Sequence, residues 1–213
     1  MEPDCGNQLA MRIKKPNSLG LMAALLAGVW LLGGCAPQPA PTIDGITLQP
    51  GSYVTASYRA PGWSAARTAY ALSPFTVENA RGVAPETFQA LLQEEISRAL
   101  QANGLKADPH SDTVLRGTIS RVEIQGESLR WLTGSITAAL TVEGRISRGS
   151  EILFAFQDRI KLSSPVNPGA PAPKEKELLL TYAARTCAFH LLNELLLTGP
   201  PPKAGKSLQK PEQ

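Results

Sequence analysis

From residue 136 to residue 162 the chain alternates apolar and polar side chains with almost no interruption. Ile136, Ala138, Leu140, Val142 and Ile146 alternate with Thr137, Thr141, Glu143 and Arg145. A turn, Ser147-Arg148-Gly149-Ser150, follows, and then Ile152, Phe154, Phe156, Ile160 and Leu162 alternate with Leu153, Gln157, Arg159 and Lys161. A period of two is that of a strand, because successive side chains leave a pleated backbone on opposite sides. Two such runs across a short glycine turn predict an antiparallel hairpin with one dry face and one wet face. The dry face must be covered by something else in the chain, and this requirement limits the fold more than any other feature.

The neighbouring segments provide the cover. Asp112 to Ile124 is enriched in β-branched residues and predicts a third strand, whose apolar phase slips near Ser120, the sign of a β-bulge. Gly117 and Gly134 read as further bulges. Pro85 to Asn103 predicts a helix: proline suits the first turn, and Phe88, Leu91, Leu92, Ile96, Ala99 and Leu100 form one stripe. Glu94 and Arg98 are spaced to pair along it, and Asn103-Gly104 stops it. Lys174 to Leu197 predicts a second helix, stopped by Gly199 and three prolines. On a wheel Leu178, Tyr182, Phe189, Leu192 and Leu196 share a face, which Leu180, Cys187, Leu191 and Leu195 widen. Only a narrow polar strip remains, Thr186, His190, Asn193 and Glu194. A helix this apolar is either buried on several sides or meets another protein with its outer face.

Thr68 to Val77 reads as a half-buried strand with Pro74 marking an edge or bulge, followed by a loop at 79–82. Ile43 to Tyr58 predicts one short strand between the turns Asp44-Gly45 and Pro50-Gly51. The element order is strand, helix, three strands, helix. It implies an α+β two-layer sandwich, a mostly antiparallel sheet of about four strands covered by two helices. The domain is placed at 51–198. Ser163 to Pro173 reads as a crossover loop, and 199–213 as a disordered polar tail.

The N-terminal region has a different character. Arg12, Lys14 and Lys15 precede an uncharged run from Leu19 to Leu32, and Gly33-Gly34-Cys35 follows. A basic start, an apolar stretch of about 14 residues and a small-residue end make a secretory signal. The run is short of the roughly 20 residues that span a bilayer. Leu32-Gly33-Gly34-Cys35 resembles the bacterial lipobox. The resemblance implies cleavage before Cys35, diacylation of its sulfur, and a mature chain held on a membrane by acyl chains, each buried CH₂ contributing about 0.8 kcal/mol. Ala36 at the following position is similar to the sorting pattern for the outer membrane. Residues 35–50 then form the acylated cysteine and a tether, with prolines at 37, 39 and 41 favouring extended chain. Residues 1–10, with Glu2, Asp4 and Cys5, suit a signal poorly, so translation is expected to start at Met11.

Charge and cysteine content narrow the function. The chain has 21 basic and 18 acidic residues, and without the signal's three cations and two acids the formal charge is +2. That is no nucleic-acid footprint. Cys35 is committed to lipid, so Cys187 has no partner for an internal disulfide and reads as an inert buried thiol. His110 falls in a polar turn and His190 on the polar strip of the second helix. Neither has metal-ligand spacing around it, and no cofactor or metal is expected. No nucleophile elbow, phosphate loop or dinucleotide fingerprint is present, and no enzyme is expected. The connection Gln125 to Ser135 carries Leu129, Arg130, Trp131 and Leu132 at its tip. An aromatic beside an arginine suits a protein hot spot, or an acyl chain with its phosphate. Alternatively, Trp131 folds back as a lid on the core.

Taken together, the lipobox, Ala-Leu-Ser-Pro-Phe-Thr-Val-Glu-Asn (71–79), a helix and Thr-Val-Leu-Arg-Gly-Thr-Ile-Ser-Arg-Val (113–122) resemble the LPS-assembly lipoprotein LptE family. Ala-Leu-Thr-Val-Glu-Gly-Arg-Ile (139–146), Gly-Ser-Glu-Ile-Leu-Phe (149–154) and the final helix continue the likeness over about residues 50 to 197. The resemblance implies a non-enzymatic protein on the periplasmic face of the outer membrane. Its partners would be the LptD β-barrel, whose lumen it plugs, and lipopolysaccharide. The lipid's phosphates would meet basic residues at one end of the sheet, for which Arg116, Arg121, Arg130, Arg145 and Arg148 are the candidates, with Trp131 beside them. The same element order also resembles the envelope domain of TolB N-terminal regions, curli-secretion lipoproteins and auxiliary lipoproteins of lipid ABC transporters, which bind other proteins or lipids.

Overall fold

The computed structural model describes residues 39–105, 108–126, 134–165 and 172–197. The signal, Cys35, most of the tether, the 127–133 tip with Arg130 and Trp131, and the polar tail lie outside the described residues. Among the described residues ten strands and two α-helices follow in order. β1 (Thr42–Ile43) and β2 (Ile46–Thr47) form a small hairpin. β3 (Gln49–Pro50) and β4 (Ala56–Arg59) follow, then β5 (Ala71–Leu72), β6 (Thr76–Val77) and β7 (Ala80–Arg81). α1 (Pro85–Ala102) leads to the long strands β8 (Thr113–Gln125), β9 (Ser135–Arg148) and β10 (Glu151–Pro165), and α2 (Ala172–Leu196) ends the domain.

The expected α+β sandwich is present. The main sheet runs β3-β4-β10-β9-β8, with β5, β6 and β7 as successive pieces along the outer edge of β8. The long strands are antiparallel, whereas the three short pieces run parallel to β8. A parallel neighbour needs a crossover, and α1 supplies it. Thr68–Val77 is therefore not one strand but a broken edge, because Pro74 has no N–H to give the ladder, and the expected loop at 79–82 contains β7. Thr42–Pro50 is not free tether but three short strands.

The helix-facing side of the sheet holds the main core. Leu115, Ile119, Val122, Leu140, Val142, Ile146, Phe154, Phe156 and Ile160 pack there against Phe88, Leu92, Ile96 and Leu100 of α1. The bulge near Ser120 is real: pairing with β9 shifts between Ile119 and Arg121. Gly117 is not a bulge. It lies opposite Gly144 in register, and the pair makes room for two phenyl rings. A Cβ at Gly117 would stand 2.3 Å from the Phe75 ring, and one at Gly144 2.5 Å from the Phe156 ring.

α2 turns inward Leu192 and the widening residues Cys187, Leu191 and Leu195, and leaves the rest of the face its large residues mark outside. Ala183, Ala184, Cys187, Ala188, Leu191 and Leu195 are buried, while Leu178, Tyr182, Phe189 and Leu196 face outward. The alanines let α2 lie close to the sheet and α1, which a wheel weighted by large side chains does not anticipate. The second face of the sheet has its own small cluster, Leu48, Ala56 and Ala155, with Ile43, Tyr58 and Ile152 against it. Among the described residues, no helix is long and apolar enough to cross a membrane.

Candidate interaction surfaces

Strand parity decides where the arginines point. In β8 the core positions are Leu115 and Ile119, then Val122 and Ile124 after the bulge. Arg116 therefore points to the second face. Arg121 is five positions on and would point the opposite way in a regular strand. The extra residue at Ser120 restores it to the side of Arg116. Arg145 lies directly opposite Arg116 in register. Three of the sequence candidates, Arg116, Arg121 and Arg145, thus share the second face, whereas Arg148 does not. It shares the parity of Ile146 and bonds Thr113 Oγ1 through its Nε at 3.2 Å, with Asp112 at 3.6 Å.

Two like charges directly opposed across strands repel, and the surroundings offset this. Arg145 is paired with Asp44 of the β1–β2 hairpin, which brings that hairpin against the second face. Arg121 is paired with Glu123 at 2.6 Å, and this guanidinium holds the Glu123 carboxyl below its usual range. The Gln157 amide donates to Glu143 at 2.7 Å. Between the hairpin and β8 lies a cleft of about 440 Å³ lined by Ile43, Asp44, Pro74, Thr76, Arg116 and Arg145. The sequence reading missed three cations on the same face: Arg81, opposite Glu123 in register, and Arg159 and Lys161, in phase with Gln157. The signal was available, since Arg159 and Lys161 occupy the wet positions of the alternation.

The outer side of α2 is the second surface. Leu178, Tyr182, Phe189 and Leu196 are 57%, 56%, 59% and 39% exposed. Positions 178, 182, 189 and 196 repeat near whole helical turns, so they form one straight stripe about 27 Å long. Arg185 interrupts it, and its Nε reaches Glu95 Oε1 on α1 at 3.1 Å. Glu95 also receives Arg98 at 2.8 Å, and Arg98 pairs with Glu94 at 2.6 Å, the spacing expected from sequence. An apolar stripe of this extent on an outer surface is a feature of binding sites.

Between sheet and α2 lies a polar seam. The backbone N–H groups of Ser52 and Tyr53 donate to Glu194 Oε2 at 3.0 and 2.8 Å, and Ser57 Oγ donates to Oε1 at 2.8 Å. The Arg59 guanidinium donates to the carbonyls of Glu194 and Leu195, satisfying orphan acceptors at the end of α2, and lies 5.5 Å from the Trp63 ring centre. His190 Nδ1 is 2.9 Å from Asp158 Oδ2. His190 is thus tied into a half-buried pair, while His110 lies exposed in its turn. Burial pushes the Asp158 carboxyl up, against the opposing pull of His190. Burial also pushes the Cys187 thiol up, which keeps it protonated and unreactive. No cluster of His, Cys, Asp and Glu able to hold a metal occurs among the described residues.

No family model matches the chain, and no curated protein matches it. Solved structures similar to it include a Xanthomonas campestris protein of the DUF330 family, 13% identical, with a TM-score of 0.43 over 64% of this chain and 90% of that one. The rare lipoprotein B of Shewanella oneidensis is 20% identical, with a TM-score of 0.37 over 55% of this chain and 91% of that one. A minor lipoprotein of Acinetobacter baumannii is 12% identical, with a TM-score of 0.38 over 57% and 92%. At this level of similarity they carry no function over to this chain.

Proposed function

We propose that this chain is a lipid-anchored protein of the periplasmic face of the outer membrane that acts by contact. In this reading it binds and plugs an LptD-like β-barrel and assists assembly of lipopolysaccharide at the cell surface, without catalysing a reaction. Cys35, in its lipobox-like setting, is the point of acylation. The observation that carries the reading is the outward stripe Leu178, Tyr182, Phe189 and Leu196. Large apolar side chains held in line on a rigid helix suit a permanent partner, and burying each contributes about 1.5–3 kcal/mol if it is fully covered. The cations Arg116, Arg121 and Arg145 are suited to phosphate groups, which arginine grips with two parallel hydrogen bonds.

The test is recovery of the tagged protein from membranes in mild detergent. The expected result is stoichiometric co-purification of a large outer-membrane β-barrel, lost in a Tyr182→Glu, Phe189→Glu double variant, together with reduced surface lipopolysaccharide on depletion. Recovery of a lipid transporter, with surface lipopolysaccharide unchanged on depletion, would overturn it in favour of an accessory lipoprotein of another envelope machine.

A further inference from the structure

We infer that the second face of the sheet is a docking surface for an anionic phospholipid bilayer, and that the anchored protein, before it engages a partner, lies with this face on the membrane and its helices turned away. Two observations carry this, neither of which needs a barrel, the second resting on the acylation of Cys35 proposed above. The first is the separation of charge. Arg81, Arg116, Arg121, Arg145, Arg159 and Lys161 all project from the second face. Of the described residues, only Glu123 and Glu143 on the strands, and Asp44 on the hairpin, oppose them. Among the described residues Arg116, Arg159 and Lys161 have no carboxylate within ion-pair distance. The opposite layer shows Glu86 and Glu94 on the exposed side of α1, with Arg98 between partners. α2 adds a mixed set to that layer, Lys174, Lys176 and Arg185 beside Glu175 and Glu177, so a chain close to neutral overall is cationic on the second face of the sheet and mixed on its helices.

The second observation is the position of the tether. Cys35 precedes Thr42 by seven residues, so the chain between them reaches at most about 25 Å even when extended. Thr42–Thr47 is the hairpin held on the second face by the Asp44–Arg145 pair, and Leu48 is packed on Ala155 of that face. The chain toward Cys35 therefore leaves the domain from its cationic side. The anchor supplies proximity and the arginines supply orientation, since a guanidinium near a phosphate-rich surface is attracted only within about a Debye length, roughly 8 Å at physiological salt.

The acylated protein, purified from membranes, would carry one introduced cysteine for a fluorophore: Thr141→Cys on the second face, or Ala90→Cys on the exposed side of α1. Cys187 is fully buried and stays unlabelled. In vesicles of phosphatidylethanolamine and phosphatidylglycerol, a headgroup spin label should quench the fluorophore at 141 and leave that at 90 bright. The difference should vanish in phosphatidylcholine vesicles, at about 1 M salt, where the Debye length is roughly 3 Å, and in an Arg116→Glu, Arg159→Glu, Lys161→Glu variant that still melts as the parent does. Equal quenching at both positions, or a difference indifferent to salt and lipid charge, would overturn the inference, as would a protein that does not stay with the vesicles. A missing β-barrel partner would leave it standing.

Discussion

Gly144→Ala tests how tightly the two layers are fitted. Two effects of opposite sign compete at this residue. Replacing a strand glycine by alanine removes backbone freedom from the unfolded chain and stabilises by about 0.5–1 kcal/mol where the site is open. Here the new Cβ would meet Phe156 Cε1 at 2.5 Å, Cζ at 2.9 Å and the Arg116 carbonyl oxygen at 3.2 Å. The Phe156 ring is fully buried and stacked on Phe154 at 6.0 Å, so it cannot swing aside. Overpacking of this kind costs about 1–3 kcal/mol, so the clash wins and the net loss is about 1–2 kcal/mol. For a domain of this size that lowers Tm by about 2–8 °C. Phe156→Leu alone also destabilises, but the double variant should lose at least about 1 kcal/mol less than the sum, because each change relieves the other. Urea unfolding of the four proteins measures the cycle. A Gly144→Ala protein as stable as the parent, or a strictly additive double variant, would refute the claim that the glycine exists to admit the ring.

Further outcomes follow from the seam, the core and the stripe. Glu194→Ala leaves the Ser52 and Tyr53 amides and Ser57 Oγ without their acceptor; a loss of about 2–4 kcal/mol is expected, with faster amide exchange at 51–59, partly restored by Glu194→Gln. Burial raises the folded pKa of Asp158 above its ordinary 3.8. Its contribution to stability is therefore fully present below that value and is lost as pH rises through the raised folded pKa. The parent should accordingly lose ground to Asp158→Asn as pH climbs through that window, and urea midpoints that fail to diverge would contradict this. Tyr70 is fully buried and its hydroxyl has no partner among the described residues, so Tyr70→Phe should be neutral or stabilising by up to about 1 kcal/mol in thermal unfolding. Phe189→Ser should change stability by less than about 0.5 kcal/mol, as an exposed site does, while weakening recovery of the partner.

Much of the architecture was written in local periodicities. The alternation of 136–162, the 3.6-residue stripe of α1, the slip at Ser120 and the Glu94–Arg98 spacing are properties of neighbouring residues, and each is present as expected. The lipobox-like Cys35 is likewise a linear signal. What depended on the rest of the molecule could not be read from a local period. α2 is apolar nearly all round, so its own sequence does not choose between faces. The close approach of the sheet and α1 chose the side with the alanines, Leu191 and Leu195, and left Leu178, Tyr182, Phe189 and Leu196 outside. The broken edge 71–81 joins the sheet only because α1 carries the chain back alongside it. The cationic face is a sum over β7, β8, β9 and β10, whose register places residues up to eighty positions apart on one surface. One inserted residue in β8 decides whether Arg121 belongs to it, since a strand has only two sides and a shift of one exchanges them.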